Sequence, residues 1–157
     1  MAKYDPQRNE SPAERADREL IELLNELRIV LPGVTVLLAF LVAVPFAKGW
    51  QRVDSFQRDV FLVAFLATGI SVAFLTAPSS YHRLRFRAGE KERLVIVGGR
   101  LTIVGIAAFA VGLEAVVLLV VSYVLSTVVA IATTACFALV ILSLWYGLAL
   151  FARLRRR

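Results

Sequence analysis

The chain has 157 residues, 59% of them hydrophobic and 19% charged, with formal net charge +6 and mean hydropathy +0.72. Soluble domains average about 45–50% apolar and about 25% charged residues, so the apolar surplus calls for lipid as its solvent. One cysteine (Cys136) and one histidine (His82) exclude an internal disulfide and a four-ligand zinc site from a single chain.

Residues 1–10 are polar, contain Pro6 and lack periodicity, and read as a disordered N-terminal segment. At Ser11-Pro12-Ala13-Glu14 a helix start appears: Ser11 as N-cap, Pro12 at the first helical position, Glu14 closing a capping box. Leu20, Leu24, Leu27 and Leu31 then recur at helical spacing, which predicts an amphipathic helix over 11–28. The arm carries seven acidic and five basic residues, unlike the Lys/Arg-rich face of a helix that binds anionic lipid. It is therefore expected to pack on protein, either the cytoplasmic end of the bundle or a partner, rather than lie on the membrane surface.

Four apolar runs follow, over 29–47, 60–77, 101–121 and 125–151. Each is near the ~20 residues that cross a bilayer as helix, and lipid admits helix because backbone polar groups must be satisfied within the segment. The expected fold is all-α: a polytopic membrane protein of four transmembrane helices with an amphipathic N-terminal cytoplasmic helix. No cleaved leader is expected, since the first apolar run follows a long arm of mixed charge.

Punctuation along the chain sets further expectations. Pro32-Gly33 predicts a bend between the arm helix and the first span, and Pro45 a break before the first loop. Asp54 to Gln57 reads as a cap that starts the second helix ahead of its apolar run. Ser122 to Val124 reads as a short connection forcing the last two spans into a tight hairpin. Trp50 and Tyr123 fall at one interface and Trp145 and Tyr146 at the other, as belt residues do.

Of the 18 Lys and Arg residues, 15 lie in the N-terminal arm, the second loop and the 152–157 tail, and three in the first loop. The positive-inside rule then places both termini in the cytoplasm. Arg83, Arg85 and Arg87 after the second span, with Arg155, Arg156 and Arg157 in the tail, are candidate contacts for anionic headgroups. Topology and lipid account for this basic charge, and nucleic acid is not expected as a partner.

Gly98, Gly105 and Gly112 recur every seven residues in the third span, and Ala130, Thr134 and Ala138 form a small-residue row in the fourth. Small residues let helix backbones approach closely in lipid, so these rows are expected to form the packing seam of the last hairpin. Glu114 is the one formally charged residue deep in an apolar run. It lies about 200° around the helix from Gly112 at 100° per residue, and about 10 Å below the end of its span, too deep to reach water easily. An intramembrane carboxyl is a candidate ion or proton site by default; the alternative is a protonated carboxyl hydrogen-bonded to a neighbouring helix or a subunit.

The segments Glu22-Leu23-Leu24-Asn25-Glu26-Leu27-Arg28, Leu31-Pro32-Gly33, Phe56-Gln57-Arg58-Asp59, Ala77-Pro78, Tyr81-His82-Arg83 and Trp145-Tyr146-Gly147 resemble an uncharacterised family of small four-span, mainly actinobacterial membrane proteins. The resemblance covers most of residues 20–150 and implies a bacterial cytoplasmic membrane. Some relatives carry a sodium/proton-antiporter label; Glu114 is not among the matching motifs. There is no HExxH, phosphate-cradling glycine loop or GxSxG, so neither an enzyme nor a cofactor is expected. The function expected is a non-enzymatic membrane assembly or accessory protein, as a homo-oligomer or within a larger membrane complex. The alternative is an oligomeric ion or proton-coupled transporter or channel.

Overall fold

A computed structural model describes residues 10–85 and 91–147. The expectations for residues 1–9, for Arg87 and for the tail arginines Arg155, Arg156 and Arg157 lie outside the described residues. Of Arg83 and Arg85 only the backbone is described, in the last turn of α2.

Four α-helices make up the fold: α1 (Pro12–Ala43), α2 (Ser55–Arg85), α3 (Lys91–Val124) and α4 (Thr127–Leu142). α1, α2 and α3, and α4 together with the π-helical turn Ser143–Gly147 that continues it, are each long and apolar enough to cross a membrane, and no strand occurs among the described residues. The all-α, multi-pass architecture is the one the apolar runs dictate.

The helix starts follow from local chemistry. Ser11 accepts a bond from the Glu14 backbone N–H at 3.3 Å, while Glu14 accepts from the Ser11 backbone at 2.9 Å. Asp54 and Gln57 exchange the same pair of bonds, at 2.8 and 3.2 Å, and α2 accordingly opens at Ser55, before its apolar run. Each box satisfies donors that the first turn would otherwise leave orphaned. At the far end of α1, Pro45 sits inside a 3₁₀ turn (Val44–Phe46), so the chain breaks there as expected.

At Pro32-Gly33, where a bend is expected, the chain stays within one element: α1 is a single 32-residue helix with Pro32 inside it. Leu27 and Val34, on either side of the proline, are both buried against Leu75 of α2, so packing carries the helix through one missing backbone bond. The place of the last connection needs correction. Ser122 to Val124 belong to α3, the Leu125 N–H still bonds Val121 at 2.8 Å, and Ser126 caps α4 by accepting from the Val129 N–H at 3.4 Å.

α1, α2 and α3 pack on one another, whereas α4 contacts α3 alone among the helices. The three-helix core has an outer cluster of Leu41, Val60, Ala64, Ala115 and Leu119 and an inner one of Leu27, Val34 and Leu75. Trp50 meets Phe61 edge-on with ring centroids 4.8 Å apart. Tyr123 reaches Gly49 at the same end, whereas Trp145 lies near Ile29 at the other, which separates the aromatics into two levels.

Helix length then has a consequence. At 1.5 Å per residue, α1, α2 and α3, with 32, 31 and 34 residues, span roughly 46–51 Å. A hydrocarbon core of about 30 Å leaves about 15–20 Å of each outside it. Most of this excess gathers at one end, where Gly98 of α3 approaches Leu23 of α1 and Pro78 of α2. There Ala16, Leu20 and Leu94 are buried. The amphipathic stripe of the arm thus packs on protein, in a short three-helix stalk projecting from the bundle. Its outer face carries the Arg15–Glu19 and Arg18–Glu22 pairs, both at 2.9 Å.

Candidate functional site

The glycine row of α3 faces α2, which corrects its assignment to the α3–α4 hairpin. A Cβ at Gly105 would stand 2.8 Å from Leu75 side-chain carbons, and one at Gly112 would stand 2.6 Å from Thr68 Oγ1. At the same level the buried Ser71 hydroxyl donates to the Gly105 carbonyl at 2.7 Å. The complementary surface on α2 is therefore Ala64, Thr68, Ser71, Leu75 and Pro78, a row at three- and four-residue spacing that the sequence reading passed over. Its signal was present, but it mixes hydroxyl-bearing and large residues with small ones.

The α4 row faces α3, on a different side of that helix. Ala130 has no exposed surface, and α3 is the one helix that α4 touches. Ala130 therefore marks the buried line, with Thr134 one turn further at about 40° and Ala138 at about 80° from it. The two rows do not meet as one seam, because α3 presents its glycines to α2.

Glu114 falls on the remaining side of α3. Gly105 and Gly112 point to α2, and Ile106 and Phe109 pack toward Leu27, Val34 and Leu75. Glu114 lies about 200° from Gly112, next to the side that α4 covers. Both of its carboxyl oxygens are shielded from solvent without a hydrogen-bond partner, and so is Thr134 Oγ1. Three threonines of α2 and α4 behave differently. Thr68 and Thr76 of α2 and Thr133 of α4 bond back to the carbonyl four residues earlier, at 2.7–2.8 Å. Thr102 shares the unpartnered state but sits some 18 Å along α3 from Glu114.

Depth places Glu114 and Thr134 near one level. Glu114 is ten residues before the end of α3 and Thr134 seven past the start of α4, about 15 Å and 10 Å from the connection. Among the described residues no cluster of three His, Cys, Asp or Glu side chains could hold a metal ion. On adjacent helices, within about one turn in depth, lie one carboxyl and one hydroxyl, both shielded from solvent and neither hydrogen-bonded to any group.

A sequence model described as a family of unknown function, DUF6328, matches residues 9–149. No curated protein and no solved structure matches the chain.

Proposed function

The chain belongs to the DUF6328 family, of unknown function, and we propose that it is a non-enzymatic membrane protein that assembles with itself or with a larger complex. The observation carrying this reading is the stalk. Three helices outrun the hydrocarbon core by about 15–20 Å, and most of that length is joined through buried Ala16, Leu20 and Leu94 into one extension. Ile21, 59% exposed among charged neighbours on this extension, offers a partner an apolar contact.

The same end carries most of the basic residues, which supports a cytoplasmic stalk and cytoplasmic termini in a bacterial plasma membrane. Arg83 and Arg85, in the last turn of α2, add positive charge at this end that anionic headgroups would attract. The competing class is ion or proton-coupled transport, favoured by the unpartnered oxygens of Glu114. Purified protein in sealed liposomes separates the two. An assembly protein leaves imposed proton and sodium gradients intact, and dissipation faster than in protein-free vesicles would overturn the assignment.

A further inference from the structure

We propose that Glu114 is a proton-binding site whose occupancy holds α4 against α3, with the Thr134 hydroxyl as the hydrogen-bond partner of the neutral acid. This goes beyond the assembly reading and does not depend on it.

The argument begins with what could compensate the carboxylate. Within the apolar lengths, α1 has no charged residue between Arg28 and Lys48, and α2 none between Asp59 and His82. α3 has none but Glu114 between Arg100 and its end, and the titratable group of α4 is Cys136, which is exposed. No element packed around α3 therefore supplies a counter-charge at that depth. An uncompensated ion shielded from water is expensive, and a proton is the one ligand that cancels the charge without further ligands.

The neutral acid then needs an acceptor for its O–H. Donating to its own backbone leaves a hydroxyl able to accept, but Thr133, which donates to Val129, lies on the exposed side of α4. Thr134 makes no such bond, lies on the α3-facing side of α4 and stands within about one turn of Glu114 in depth. Its oxygen can accept from the acid across the helix boundary. When the proton leaves, the carboxylate has to draw water into that boundary, and among the described residues α3 is the one α-helix on which α4 packs. Protonation and docking of α4 are linked for that reason.

Dicyclohexylcarbodiimide, an apolar reagent that modifies protonated carboxyls, tests this directly in proteoliposomes, with the adduct located by mass spectrometry of peptides. The expected result is an adduct at Glu114 whose yield falls as pH is raised, approaching tenfold per unit above its midpoint. Glu114→Gln should show none at that position. Thr134→Val, which removes the acceptor for the neutral form, should move the profile to lower pH while the protein stays folded by circular dichroism. Absence of the adduct at every pH, or labelling independent of pH, would overturn the proton site. An unmoved profile in Thr134→Val would overturn the role of Thr134. Neither outcome depends on flux or copy number, so the assembly reading stands or falls separately.

Discussion

Adding one methyl group at Gly105 should destabilise the protein, whereas the same change at Gly33 should not. An alanine Cβ at Gly105 would lie 2.8 Å from Cγ and Cδ2 of Leu75 and 3.3 Å from its backbone nitrogen. Leu75 has no exposed surface, so its side chain has nowhere to rotate, and α2 and α3 must separate by most of an ångström to restore ordinary contact. Overpacking of that kind costs about 1–3 kcal/mol. The separation also stretches the Ser71 bond to the Gly105 carbonyl, now 2.7 Å, worth about 1 kcal/mol. Alanine's better helix propensity returns about 1 kcal/mol, leaving a net loss of roughly 1–3 kcal/mol. At Gly33 a Cβ meets nothing within 4 Å, so the propensity gain of up to about 1 kcal/mol stands alone. Gly98→Ala should fall between, because its nearest contact is the movable end of Leu23, at 2.9 Å. Thermal unfolding in one detergent, followed by circular dichroism, should rank the melting temperatures Gly33→Ala, Gly98→Ala, Gly105→Ala from highest to lowest. Equal values for Gly33→Ala and Gly105→Ala would refute the close α2–α3 approach.

Ser71→Ala should lower stability by about 1 kcal/mol without changing secondary structure, as read by the same melts. Ser11→Ala removes one half of the α1 capping box and should cost about 1 kcal/mol, appearing as faster amide exchange confined to the first turn. With Cys136 replaced, single cysteines at Ser55 and Ser79, at opposite ends of α2 and both exposed, should differ in access. An impermeant maleimide added to intact cells should reach Ser55 alone, and labelling of Ser79 instead would invert the proposed orientation.

What the sequence disclosed was mostly local. The Ser11 and Asp54 boxes, the break at Pro45 and the four apolar lengths depend on residues within a few positions of one another, and the structure forms them all. Pro32 shows where a local rule yields: losing one backbone bond matters less than Leu27 and Val34 sharing one buried cluster with α2. The direction of the glycine row was not legible for a different reason. Small residues on one helix say that something approaches closely, but not which neighbour does. The α2 row that answers it interleaves Thr68 and Ser71 with Leu75. Glu114 was legible as a lone charge in an apolar run. That Thr134, and not Thr133, keeps its hydroxyl unspent depends on helix packing and could be seen only in three dimensions.

The claim that the chain is an assembling membrane protein is tested most directly by its copy number in native lipid. Protein extracted from its own membrane in polymer-bounded discs, without detergent, and weighed by native mass spectrometry should carry more than one polypeptide, either further copies of this chain or a second protein. A single chain per disc at native expression, with no companion, would contradict it.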